Sequence, residues 1–397
     1  MSLDVIATPT ASGTKHEHGT HPLDALLARD GLYGMSGAVA ADLRLRHLRD
    51  AVTHHRNFNP HFDRYCGELK FDDKALDSEA GLLRVPLLPS GLFKWHRDKV
   101  RTGSDEDSLL ETSSSGTQGT LSIVPRDNVT LMRFFSSVAI GNREVLNVET
   151  FDRHVLNIGP STKEARNLWI AYVMAGVSVI FTTRSYVREE RFYIDQLISD
   201  MRQFGPNDPV TLVGPPFLLL ELANTIADSG RPLELGPETL VITIGGWKRR
   251  EGEQIARPEF EARIAGALGV PDLTRIRDAF NMVELNSVFF ECSSKVKHCP
   301  PWVLATARDP RTLEALPSGT TGILAFLDPT PTSYPGFILS DDFGSVKQMV
   351  ECPCGIVGDT LHIERRVNRI EMRGCALKME TLAPTARANG NGLAGHK

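Results

Sequence analysis

No apolar run in this 397-residue chain approaches the roughly 18–20 residues that a membrane helix needs. The opening MSLDVIATPTASGTKHEHGTHP lacks the charged start and apolar stretch of an export signal, so cytoplasm is the expected compartment. Positive charge is not in excess. The 44 Lys and Arg stand against 49 Asp and Glu, a formal net charge of −5, which excludes a nucleic-acid-coating role and a polybasic membrane patch. Cysteine is scarce as well: six, without an export signal, make no disulfide framework and read as free thiols, metal ligands or nucleophiles. Also missing is any Gly-Lys-Ser/Thr ending of the kind that makes a Walker loop.

What remains is an ordinary globular composition, 41% hydrophobic and 23% charged, with two or three structural units expected from the length. Residues 1–21 and 382–397 have the composition of disordered tails. HEHGTH in the first (His16, His18, His21) would have to be ordered before it could chelate a metal. Between the tails, apolar runs alternate with amphipathic stretches. The spacing predicts a helix over 161–176 ending at a glycine, then a strand VSVIFTT at 177–183. A helix over EERFYIDQLISDMRQFG, a strand VTLVG (210–214), a proline-opened helix PPFLLLELANTIADSG, a strand TLVITIGG (239–246) and a helix PEFEARIAGALG follow. Such alternation implies a mostly parallel sheet covered on both faces. Past Phe289 the pattern becomes short strands and turns, a smaller β-rich unit.

Four segments carry chemistry. TSSSGTQG (112–119) offers hydroxyls and glycine-permitted backbone N–H groups that can form an anion-binding nest, although Ser/Gly-rich runs are also linkers. In DAFNMVELN (278–286), Phe280 and Glu284 offer an aromatic face for a purine and a carboxylate for hydrated Mg²⁺; a packed Phe beside a solvated Glu is the plainer alternative. ILSDDFG (338–344) places paired aspartates after an apolar strand, suited either to a ribose diol or to capping a turn. ERRVNRIEMRGC (364–375) is an arginine-rich alternating segment.

In this order and at these separations, the four segments resemble the adenylate-forming enzymes, which activate carboxylic acids with ATP. LPSGLFKWH (88–96), GGWKRREGEQI (245–255), ECSSKVKHCPPWV (291–303) and CPCG (352–355) ahead of RGC (373–375) resemble the acyl-protein synthetases of luciferase operons. These belong to the smaller branch that also holds phenylacetate–CoA ligase, and phenazine-pathway carboxylate-adenylating enzymes look similar. The resemblance covers residues 80–380 and implies an α/β fold with the adenylate-forming large-domain architecture. On that reading 22–290 is the α/β nucleotide- and substrate-binding core, 291–364 a β-rich unit of the same large domain, and 365–381 the remnant of a truncated C-terminal domain.

The resemblance also distributes roles. Thr112, Ser113, Ser114, Ser115, Gly116, Thr117 and Gly119 would cradle the ATP phosphates, with Thr117 among the catalytic groups. Gly245, Gly246 and Trp247 would flank adenine and substrate, and Phe280 would stack on adenine. Glu284 would hold Mg²⁺, Asp342 the ribose, and Arg365 would be the hinge arginine. PSGTTG (317–322), a better-looking phosphate loop, falls after Glu284, where the family has a hairpin turn.

Several positions depart from the family pattern. Asn281 and Val283 replace a glycine and a threonine, Val367 replaces the hinge aspartate, and Gln118 and Thr120 leave the loop without its lysine. Only 32 residues follow Arg365, so the lysine of a full C-terminal domain has no counterpart. Lys248, in GGWK, is the expected substitute cation at the strand-end crevice, or else a solvated lysine heading the charged run KRREGE.

Cys66 stands alone and reads as a small buried hydrophobe. Cys292, His298, Cys352 and Cys354, with Cys299 as a substitute, have the donor types of a closed tetrahedral zinc site; unligated core thiols are the alternative. Cys375 beside Arg373 reads as either an activated acyl acceptor or an inert thiol.

The expected function is therefore ATP- and Mg²⁺-dependent adenylation of a carboxylic acid, with pyrophosphate release and delivery of the acyl group to a downstream protein, enzyme, carrier, amine or CoA. An aromatic or phenazine-like acid of specialised metabolism is expected ahead of a fatty acid. Alternatives are a fatty acyl-protein synthetase and a non-catalytic nucleotide- or acyl-binding protein. No nucleic-acid partner and no membrane insertion are expected, and a homodimer is left open.

Overall fold

The computed structural model describes residues 21–103, 109–115, 121–148, 153–247, 252 and 254–366. Its strands are β1 (Leu88–Pro89), β2 (Leu110–Ser113), β3 (Ile123–Arg126), β4 (His154–Pro160), β5 (Thr182–Arg188), β6 (Arg191–Phe192), β7 (Val210–Gly214), β8 (Leu240–Ile244), β9 (Ile276–Phe280), β10 (Phe289–Phe290), β11 (Lys297–His298), β12 (Leu304–Arg308), β13 (Gly322–Leu327), β14 (Phe337–Glu351) and β15 (Val357–Arg366).

A seven-stranded sheet runs β10-β9-β8-β7-β4-β5-β6, parallel from β9 to β5 with antiparallel edges. The mostly apolar runs of β7 and β8, each with one buried threonine, suit this place because both faces are covered. Leu240 and Ile242 face one apolar core and Val241 the other, as a period of two requires. One core lies under the helices Pro216–Asp228 and Arg257–Leu268, with Leu219, Ile226 and Ile264 in it. The larger core runs from the N-terminal helices, through Leu48 and Phe62, to Phe134 and then to Phe289, Phe326 and Phe337 of both sheets. A second sheet, β11-β15-β14-β13-β12, is antiparallel, with β1 added in parallel to β14. PSGTTG lies between its strands β12 and β13, where the Gly319 N–H donates to Val346 O at 2.8 Å. Among the described residues no helix is long and apolar enough to cross a membrane.

Two expected elements change their bounds. The helix after residue 161 occupies Trp169–Ile180, so VSVI is helical and the strand starts at Thr182. Gly176 does not stop this helix. It admits the ring of Phe135 from the helix Asn128–Glu144; a Cβ on Gly176 would lie 2.1 Å from that ring. The helix expected from residue 189 spans only Ile194–Met201. Ahead of it, Glu189 and Glu190 take positive φ in the tight turn joining β5 to the edge strand β6.

Candidate active site and metal centre

The segment TSSS leaves the β2–β3 hairpin, in which Thr112 pairs with Val124 and Ser113 with Ile123. This register buries Thr112. Its hydroxyl donates to Val124 O at 3.2 Å and accepts from Arg126, so Thr112 roots the hairpin and does not reach toward a phosphate. The Ser113 hydroxyl donates to Asn167 O at 3.0 Å. Ser114 and Ser122 close the neck of the loop: the Ser114 N–H donates to Ser122 O at 3.0 Å, and the Ser122 N–H to Ser114 Oγ at 3.1 Å. Ser115 is exposed just beyond the neck. Gly116, Thr117 and Gly119 lie outside the described residues, as do Lys248, Cys375, residues 1–20 and residues 382–397; His21, assigned to the first tail, instead caps the helix Pro22–Leu27.

Beneath the neck sits Glu284, only 4% exposed. Burial pushes its carboxyl above the usual range, while the Ser122 hydroxyl and the nearby Lys94 pull the other way. Lys94, in the short helix Leu92–Trp95, places Nζ 3.3 Å from Asp341 Oδ2 on β14. Loop neck, Glu284, Lys94 and the aspartate strand thus converge from four distant segments. Asp342 follows on β14 opposite Arg366, next to Phe343 opposite Arg365. Phe280 ends β9, half-buried, its ring 6.0 Å from Phe289 and from Phe326. Asn281 holds the loop shape: its Nδ2 donates to Leu285 O and Ser287 O at 3.1 and 2.9 Å, and its Oδ1 accepts from Trp169 Nε1 at 2.8 Å.

Gly245 and Gly246 both have positive φ, 77° and 62°, which turns the chain sharply at the end of β8. Gly246 and Trp247 open onto a cleft of about 770 Å³ between the parallel strand ends and the β14–β15 pair. Asp278 in its wall accepts from the Thr243 hydroxyl at 2.5 Å and pairs with Lys297 Nζ at 2.8 Å.

Reading the sequence overlooked Lys94 and Arg126. Lys94 lies in LPSGLFKWH, where a lone cation in an apolar run was a signal. Arg126 lies in IVPRD, fully buried, with its guanidinium carbon 3.7 Å from the Trp169 ring centroid and Nη2 donating to Val283 O at 2.5 Å.

The four expected zinc ligands do come together. One donor atom each from Cys292, His298, Cys352 and Cys354 lie within 4.8 Å of one another. The Sγ atoms of Cys292 and Cys352 are 3.7 Å apart, and Cys354 Sγ is 3.4 Å from His298 Nε2. A tetrahedron with zinc–sulfur bonds of about 2.3 Å has edges of roughly 3.8 Å, so the spacing fits. Cys292 and Cys352 open matching knuckles: each N–H donates to the carbonyl four residues on, Val296 or Ile356, and each carbonyl accepts from a third residue of positive φ, Lys295 or Gly355. Burial lowers the His298 pKa to about 4, keeping the ring neutral, as a metal ligand must be. Cys299 lies outside the quartet, and burial pushes its thiol well up.

The family described as acyl-protein synthetase, LuxE, matches residues 22–383. The chain belongs to the LuxE acyl-protein synthetase family. Within it, the chain is 32% identical over 339 residues to the long-chain-fatty-acid–luciferin-component ligase of Aliivibrio fischeri, covering 85% of this chain and 88% of that one. The corresponding Vibrio harveyi ligase is 31% identical over 351 residues, 88% of this chain and 90% of the relative. Among solved structures, 2-hydroxyisobutyryl-CoA ligase with 2-HIB-AMP and CoA superposes with a TM-score of 0.67 at 18% identity, covering 84% of this chain and 70% of that one. The fold of this LuxE-family chain is thus that of an adenylate-forming enzyme. Neither relative is named for an aromatic acid, so the aromatic reading draws no support from them.

Proposed function

We propose that the protein activates a long-chain fatty acid as its acyl-adenylate and passes the acyl group to a partner protein through a cysteine of its own. The convergence of Ser122, Glu284 and Lys94 at the loop neck carries this reading, because it supplies a carboxylate and a cation at one spot. The names and near-full-length coverage of the two relatives favour the fatty acid over the aromatic acid.

A carboxylate is a poor electrophile; attack of its oxygen on the α-phosphorus displaces pyrophosphate and leaves an acyl-AMP with a good leaving group. The serine hydroxyls and loop N–H groups would meet the negative charge that grows on the phosphorus oxygens. Glu284 fits Mg²⁺: it is a hard oxygen donor, forms no ion pair among the described residues, and lies where burial makes its bare charge costly. When bound, that ion would neutralise phosphate charge. Lys94, held by Asp341, stands in for the loop lysine the sequence lacks. Phe280 keeps its expected role toward adenine and Asp342 toward ribose, Arg365 remains the hinge arginine, and Lys248 remains a second cation at the cleft.

That the acceptor is a cysteine of the protein's own is what the resemblance to acyl-protein synthetases implies. Cys66 and Cys299 are buried with raised pKa values, and Cys292, Cys352 and Cys354 are committed to the quartet, which leaves Cys375. Its thiolate would attack the acyl carbonyl, forming a thioester and releasing AMP. The quartet itself is a closed structural zinc site, and purified protein with less than about a tenth of an equivalent of zinc would remove that part of the reading.

ATP–pyrophosphate exchange with a panel of straight-chain and aromatic acids tests the function. Exchange that depends on long-chain acids is expected. Exchange with aromatic acids alone would restore the aromatic reading, and ATP-dependent thermal shifts without exchange would make the protein a binder.

A further inference from the structure

Burying an arginine is expensive, and a well-packed apolar residue usually fills such a place at lower cost. Arg126 is nonetheless fully buried, and burial lowers its pKa. Its guanidinium lies on the Trp169 face, donates to the Thr112 hydroxyl at the root of the phosphate loop, and donates to Val283 O, the carbonyl immediately before Glu284. Its Nε has no partner among the described residues. Trp169 meanwhile holds Asn281, at the start of the same loop, through a 2.8 Å bond. One planar, rigid donor fork therefore ties the hairpin that carries the phosphate loop to the peptide that carries the metal-site carboxylate. A lysine has no such fork, and a methionine has no donor at all.

We propose that Arg126 is a positioning residue that sets Glu284 in register with the phosphate loop, an inference that rests on the adenylation reading above. Arg126 touches neither nucleotide nor acid. It acts through Val283 and Thr112, and its loss leaves two half-sites that no longer move as one.

The test compares the full-length protein with Arg126→Met, Arg126→Lys, Asn281→Gly and Glu284→Gln. In pyrophosphate exchange, R126M should lose about 100-fold in kcat, the scale of one misplaced electrostatic group, with ATP KM changed less than about threefold. R126K should recover roughly tenfold of that loss by restoring charge and one bond. A readout independent of turnover accompanies it: the extra Tm given by Mg²⁺-ATP over ATP alone should vanish in R126M and return in R126K. Asn281→Gly, which unties the loop from Trp169 and also removes the bonds to Leu285 O and Ser287 O, should show the same signature without emptying a fully buried site. A wild-type Mg²⁺-ATP increment in R126M overturns the proposal, as does a loss carried wholly by ATP KM. If R126M does not fold, wild-type behaviour of both R126K and N281G overturns it instead. E284Q separates the two levels: full exchange there refutes the Glu284 reading itself, whereas an inactive E284Q beside an unaffected R126M refutes only the positioning role.

Discussion

Replacing Lys94 by methionine keeps the length and apolar stem of the side chain and removes only its charge. The cation stands 3.3 Å from Asp341 and pulls the Glu284 carboxyl down, so it lies within electrostatic reach of both β14 and Glu284. Removing one donor aimed at developing charge costs about 10²–10³ in turnover, or roughly 2.7–4 kcal/mol. Lys94 retains 25% of its side-chain exposure and shares its charge with Asp341, which screens it and places the expectation at the lower end, near 100-fold. The structural cost is smaller. A part-exposed ion pair contributes at most about 1 kcal/mol. In a chain of 397 residues that shifts Tm by only about 1 °C. Acid-dependent pyrophosphate exchange and thermal unfolding on the same preparation separate the two effects, and Lys94→Arg should retain most of the activity. Exchange by K94M within about threefold of wild type would refute the argument that this lysine replaces the absent loop lysine.

Other outcomes follow from the same geometry. Burial raises the folded-state pKa of Glu284, so the folded protein keeps this proton longer than the unfolded chain; stability from this group is present at low pH and lost as pH rises through the folded value. E284Q without nucleotide should therefore melt at or above wild type at pH 8, the difference closing toward pH 4, while its exchange activity is lost; thermal melts across that range check the sign. Cys352→Ala should abolish stoichiometric zinc by elemental analysis and make the protein's melting insensitive to chelator, while wild type loses Tm on chelation. Gly176→Val should cost about 1–3 kcal/mol in urea unfolding, because its Cβ would lie 2.1 Å from the Phe135 ring; an unchanged midpoint would show that the two helices part freely.

The sheet strands β7 and β8 were legible because a strand covered on both faces is written as a near-continuous apolar run, here broken in each by one threonine. The Cys/His quartet was legible for a chemical reason: few side chain types bind soft metal ions, and their short spacings survive in the sequence. The end of the helix at Ile180 was not, since Gly176 looks like a stop until Phe135, far upstream, is known to fill the space above it. Composition alone could not tell that Thr112 turns its hydroxyl inward while Ser115 stays exposed, because that depends on hairpin register. Lys94 and Arg126 were hidden most deeply. Their partners, Asp341 and Val283, lie 247 and 157 residues away along the chain.

The stretch from Cys292 to His298 carries a burden of its own. It leaves the parallel sheet just after β10, enters the antiparallel sheet at β11, and contributes Lys295, Val296 and Lys297 to the wall of the cleft. A ligand of the quartet stands at each end of it, so one ion would clamp both ends of a seven-residue bridge. Substitutions in either sheet's own core can be absorbed by local repacking. A residue inserted into the bridge has no such outlet, since it would shift one metal ligand and one cleft wall together. Surface loops elsewhere in the chain are free to lengthen as the protein diverges; this one has its length fixed by two sheets and a cluster of thiols.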